Sequence, residues 1–172
     1  MSDAISAARL SILLLIVFLL CSPALADSGY RYESTDGKVV FQPSEKFERT
    51  VNPHAVLSLQ NKDEVVVLVT TEKEKFTIDQ LYDGMPSTFD DGALCVGRVL
   101  LSVDGEDAAT FLVEGMFPPD PDQEPTHNTV YVVTNHNRTQ YTFMIHYPAE
   151  RGDEGLEWAT GLLRDFSWAK NI

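Results

Sequence analysis

Most of this chain reads as short β-prone runs separated by turn dipeptides, and a helical period shows in only two places. Tyr30–Glu33 and Lys38–Gln42 flank Asp36-Gly37, a pair that favours tight hairpin turns, and Pro43 stops the ladder. Ala55–Leu59 is a third candidate strand. Glu64–Thr71 contains Val65-Val66-Val67-Leu68-Val69, four of them β-branched, and a run like that predicts a strand covered on both faces. Helices on either side of the sheet, or a helix on one side and a loop on the other, would supply the cover.

The first helical period begins at Thr77, which can cap the element with Gln80 completing a capping box. Ile78, Leu81, Tyr82 and Met85 share one face, and Gly84 with Pro86 marks the end. This is the better signalled of the two helices. Residues 87–92 read as a loop. Strand patterns return from Val96: Val99–Val103 and Glu106–Met116 flank Asp104-Gly105, then Thr129–Thr134 and Thr139–Tyr147 flank Asn135-His136-Asn137-Arg138. In the last arm Tyr141, Phe143, Ile145 and Tyr147 alternate with Thr142, Met144 and His146, until Pro148. The second helix is predicted over about 153–165. Asp153 and Glu154 favour its start, and Leu156, Ala159, Leu163 and Phe166 form its core stripe with Leu162 beside it. Gly161 weakens it by about 1 kcal/mol relative to alanine.

Between the second and third hairpins lies a proline-rich acidic loop, residues 117–127, which cannot hold a ladder. No repeat and no long linker interrupts the pattern. The expected class is α+β, a mainly antiparallel sheet flanked by helices, in one domain spanning residues 27–172.

Residues 1–26 change the picture, because they say where the protein works. Arg9 precedes an apolar run, Leu10–Leu20, followed by Pro23 and the small-residue pattern Ala24-Leu25-Ala26. That is the layout of a cleavable secretory signal, and the run is short of the roughly 20 apolar residues that span a bilayer. A periplasmic or secreted product beginning near Asp27 is expected. A lipid anchor at Cys21 is the lesser reading, because Leu20 precedes it where lipid-modified cysteines follow a small residue.

The formal net charge is -13, and the signal segment carries only Asp3 and Arg9, so the processed chain keeps it. Such a surface repels phosphate, which excludes nucleic acid as the expected partner. Solubility accounts for acidity of this kind, and positive partners or cations are compatible with it. Of two cysteines, only Cys95 survives cleavage, so no intramolecular disulfide is available. Its neighbours Ala93, Leu94 and Val96 predict a buried, inert thiol.

The segment Asp36–Phe41 with Pro43, the valine strand leading into Ile78–Met85, the Val99–Gly105 hairpin, and Tyr141–Tyr147 before Pro148 occur in a telling order. With the terminal helix and the Phe166-Ser167-Trp168 finish, they resemble the Mog1/PsbP-like fold, most closely the bacterial periplasmic DcrB-type proteins. The resemblance implies an α/β/α sandwich and a non-enzymatic accessory or binding module. Members include envelope lipoproteins, photosystem II extrinsic subunits and a nuclear protein that binds a small GTPase. It supplies no catalytic residues. The acidity here departs from the basic docking faces of the photosystem subunits, and Leu20-Cys21 departs from the lipoproteins.

Candidate chemistry is sparse. Asp120, Asp122 and Glu124 alternate with prolines or polar residues, and His127 follows. These are oxygen and nitrogen donors of the kind Ca²⁺, Mn²⁺ or a transition metal takes. The glycine turn and distant bidentate glutamate of a calcium loop are missing, and the prolines keep the chain extended. The loop therefore reads first as a solvated, partner-facing segment, with a divalent-cation site as the alternative. His54 and His136 read as surface groups, and His146 falls on the more polar face of its strand, open to either solvent or a helix. No phosphate-binding, dinucleotide or nucleophile-elbow motif occurs. A hydrolase built from Cys95, a histidine and an acid gathered from distant segments is the second alternative. Asn137-Arg138-Thr139 is a glycosylation sequon, read here as a turn asparagine supplying a left-handed conformation.

The expected function is thus an exported accessory protein that binds a protein partner or envelope component, with no cofactor and no catalytic residue. Its candidate contacts are Asp120, Asp122 and Glu124 in the acidic loop, and His136 and Arg138 in the third hairpin turn.

Overall fold

The computed structural model describes residues 29–88, 93–116 and 126–169. Residues 1–26, which read as a secretory signal, and the acidic positions Asp120, Asp122 and Glu124 lie outside the described residues.

The strand patterns become β1 (Tyr32–Glu33), β2 (Val39–Phe41), β3 (Glu48–Arg49), β4 (Leu57–Gln60) and β5 (Val66–Lys73), followed by helix α1 (Ile78–Gly84). After it come β6 (Leu94–Val103), β7 (Glu106–Met116), β8 (His127–His136), β9 (Thr139–Pro148), α2 (Gly152–Gly161) and β10 (Phe166–Trp168). A seven-stranded sheet has the order β3-β4-β5-β9-β8-β7-β6, and a three-stranded sheet the order β1-β2-β10. Every pairing among the described residues is antiparallel. The predicted turns close the hairpins: Gly37 (φ 66°), Asp104 (φ 44°), Gly105 (φ 87°) and Asn137 (φ 50°) all take the left-handed backbone that these sequences tolerate.

The large sheet has two unequal covers. On one face its Val67, Val69, Phe143, Ile145 and Tyr147 meet α2 and the small sheet, in a core joined by Phe41, Leu156, Leu163 and Phe166. Phe41 and Phe166 stack at 4.5 Å between ring centroids, and Phe143 meets Phe166 edge-on at 4.8 Å. On the other face α1 lays Ile78, Leu81, Tyr82 and Met85 over Ala109, Phe111, Val113 and Val133.

Several expectations need correction. The valine strand is not closed on both sides: Val65, Val67 and Val69 are buried, whereas Val66 and Leu68 are half-buried, because α1 covers the β6–β8 half of that face and stops short of β5. The capping box of α1 is present, with Gln80 N–H donating to Thr77 Oγ1 at 3.3 Å and Thr77 N–H donating to Gln80 Oε1 at 3.0 Å. Yet α1 is only seven residues long and buries none of them fully. A cap lowers the cost of starting a helix but does not supply packing area. The longer α2 stops at Gly161 and passes through a 3-10 turn, Leu162–Asp165, into β10. Phe166 keeps its predicted place in the core, but as a strand residue opposite Phe41.

Candidate functional site

Three hairpin turns meet at one end of the molecule because antiparallel strands return to the same edge every second connection. The β1–β2, β6–β7 and β8–β9 turns gather there with the end of β10. At their centre the His136 imidazole lies flat on the Trp168 indole, 4.0 Å between centroids and 4° from parallel. Tyr141 meets the same indole edge-on at 4.9 Å.

Two of the turns contribute acids to this aromatic group, Asp36 from β1–β2 and Asp104 with Glu106 from β6–β7. Glu106 Oε1 accepts from His136 Nδ1 at 2.9 Å, a pair in which the histidine side chain is 20% exposed and the glutamate 42%. Asp104 Oδ2 accepts the Trp168 backbone N–H at 2.8 Å. Asp36 Oδ2 accepts a long bond, 3.5 Å, from the Tyr141 hydroxyl, while its other oxygen accepts the Lys38 amide at 3.1 Å. Burial first, and then the Asp36 carboxylate, push the Tyr141 phenol up to about 12. The second ring nitrogen of His136 accepts from Asn137 Nδ2 at 2.7 Å. Asn137 and Arg138 (φ 64°) are exposed at the tip, and the Arg138 carbonyl accepts the Glu74 amide at 3.3 Å. Trp168 Nε1 is buried without a hydrogen-bond partner among the described residues.

His136 is therefore not a free surface turn residue: it is a half-buried member of an aromatic and acidic cluster, and Arg138 is the exposed one of the pair. Asp36, Glu106, Tyr141 and Trp168 were not singled out from the sequence as site residues. Their signal was the repetition of acid-bearing turn dipeptides, which only topology converts into one locus.

The remaining candidates are scattered. His127, at the start of β8, donates from Nε2 to the Glu64 carbonyl at 3.2 Å, and its Nδ1 lies 2.9 Å from Thr126 Oγ1. No three metal-binding side chains gather among the described residues. His146 is buried at 2% exposure rather than facing solvent, its Nδ1 2.7 Å from Thr129 Oγ1. Burial, assisted by the nearby His127, pulls its pKa down to about 4, so it is neutral at physiological pH. Cys95 is half-buried on β6 rather than fully enclosed, with Sγ 3.6 Å from the Gly97 carbonyl. Its strand lies three places from β9, which carries His146.

Two clefts of about 470 Å³ open on the surface. One lies between the ends of β6 and β7 and the start of α2, among Leu94, Leu112, Glu114, Tyr147, Asp153 and Leu156. The other follows β3 and is lined by charges of both signs, including Glu45, Glu48, Arg49 and Lys62. Neither is lined by a histidine or a cysteine among the described residues.

No family model matches the sequence, and no curated protein matches it. Solved structures do. The solution structure of cyanobacterial PsbP (CyanoP) from Synechocystis sp. PCC 6803 superposes with a TM-score of 0.62 at 14% identity, covering 86% of this chain and 96% of that one. A crystal structure from Bacteroides thetaiotaomicron VPI-5482 gives a TM-score of 0.53 at 14% identity, covering 84% of this chain and 50% of the other. The narrower likeness to DcrB-type proteins gains no support from these matches. At such identity the likeness speaks for architecture alone. The chain has the PsbP/Mog1-like α+β fold.

Proposed function

We propose that this chain is an exported, non-enzymatic accessory protein of one domain that recognises a protein partner or envelope component through its three-turn end. The observation that carries the reading is the fixed β8–β9 turn, in which His136 is held by Trp168 and Glu106 while Arg138 stands exposed at the tip. A tip braced in this way loses little conformational entropy on binding. The dispersal of Cys95, His127, His136 and His146 over separate places in the fold supports recognition over catalysis. The acidic loop with Asp120, Asp122 and Glu124 is proposed as the second contact, suited to a basic patch.

The test is cross-linking of the processed protein in its native envelope fraction, comparing the wild type with Arg138→Glu and with Asp120, Asp122 and Glu124 changed to lysine. Loss of cross-linked products in either variant supports the corresponding contact. An unchanged set of products in both overturns the assignment. Export is tested separately by N-terminal sequencing of the protein from its own cells. A start near Asp27 is expected, and retention of residues 1–26 in a cytosolic product defeats the reading.

A further inference from the structure

Independently of that function, we propose that the outer edge of β6 is a docking site for an extended peptide segment, apolar in its middle and basic at its ends, which adds to the large sheet as an eighth strand.

The edge is unusual in what it lacks. β6 is ten residues long and ends the seven-stranded sheet. Long edge strands are normally protected by a proline or an outward charge. Over Leu94–Val103 there is no proline, and Arg98 is the one charged residue. Arg98 is turned onto the end of α1, where it donates to the Tyr82 carbonyl at 3.3 Å and the Met85 carbonyl at 2.7 Å. The chain covers the start of the edge itself, through the Cys95 N–H donating to the Ser87 carbonyl at 3.0 Å and a bridge between Thr88 and Leu94. From the bulge after Cys95 onward, no described residue pairs with the outer side.

Several side chains along this edge are both apolar and exposed. Six large apolar residues stand exposed among the described residues, and three of them, Leu94, Val96 and Leu100, are on β6. Beneath the edge, on the α2 side, Val99 and Leu101 border a shallow apolar slot completed by Leu112 and Leu156. An added strand would present alternate side chains to this slot and to Leu100 on the opposite face.

Charge selects the occupant. Glu114 is opposite Leu94 at one end of β6, and Asp107 is opposite Ser102 at the other, with Asp104 in the turn beyond. A second copy pairing antiparallel through β6 would bring these acidic ends together, on a chain whose net charge is already -13. A segment with lysine or arginine at both ends meets them favourably.

The probe is a fluorescently labelled decapeptide with a valine–threonine alternating centre and two lysines at each end, titrated into the processed protein. We expect saturable binding, slowed amide exchange confined to residues 96–103, and at least tenfold weaker binding to Leu100→Lys. That side chain is 49% exposed, so the variant should melt like the wild type. The same peptide methylated on alternate backbone nitrogens should not bind. Absence of binding overturns the proposal, as does equal binding of a glutamate-ended peptide or of the methylated one. A peptide-free wild type that sediments as a dimer, with Leu100→Lys monomeric, overturns it in favour of a second copy as the occupant. None of these results bears on the Arg138 contact, which lies on a different turn.

Discussion

His136 and Trp168 come from different sheets, yet their rings are parallel within 4° at 4.0 Å. The stack ties the β8–β9 turn of the large sheet to the last strand of the small one. Trp168 also reaches Tyr141 and Phe143 on β9, so one indole joins the end of the chain to the main core. Trp168→Ala should cost about 3 kcal/mol, at the low end for a large aromatic because the residue is only partly buried. Urea melts measure this, and a loss below about 1 kcal/mol would show that the small sheet does not depend on the stack.

The pH dependence should carry the mark of His146. Its pKa falls from 6.5 to about 4 on folding. The unfolded chain therefore binds more protons between those values, and stability declines as pH drops from about 6.5 toward 4. The full effect is on the order of 3 kcal/mol. His146→Gln keeps a group able to bond Thr129 and should flatten this slope in thermal melts collected across the window.

Asp165 acts in the opposite direction. Burial raises its carboxyl from 3.8 to about 6, Glu45 adding to the rise and Arg164 opposing it. The folded chain then holds the proton more tightly, so this group favours folding in acid and loses that contribution as pH climbs through about 6. Asp165→Asn should steepen the acid-side loss due to His146 and raise stability above pH 6. A variant whose profile parallels the wild type at every pH would rule this out.

Two glycines of the same helical segment should respond with opposite signs. A Cβ at Gly155 would lie 2.5 Å from Tyr147 Cδ2 and 2.8 Å from Arg151 Cβ. Tyr147 is buried and has little room to move. Gly155→Ala should therefore cost about 1–3 kcal/mol despite the better helix propensity of alanine. At Gly161 nothing lies within 4 Å and the backbone is helical (φ -58°, ψ -40°), so Gly161→Ala should gain up to about 1 kcal/mol. Calorimetric melts of both variants check the pair.

Local chemistry alone determined the turns, the strand runs and the cap. Asp36-Gly37, Asp104-Gly105 and Asn137 need left-handed backbone wherever they fold, and Thr77 with Gln80 satisfies its own amides, so neither depends on distant residues. The α+β class followed from the same periodicities. Tertiary structure decided what no local pattern encodes: that the hairpins split into two sheets, that Phe166–Trp168 becomes a strand instead of a helix end, and that His136 lies under an indole 32 positions away. It also buried His146 on the polar-patterned face and left β6 half-covered at the sheet edge. The reason is physical: a turn is specified by its own dihedral angles, whereas burial and pairing depend on which segments compete for one another's apolar area.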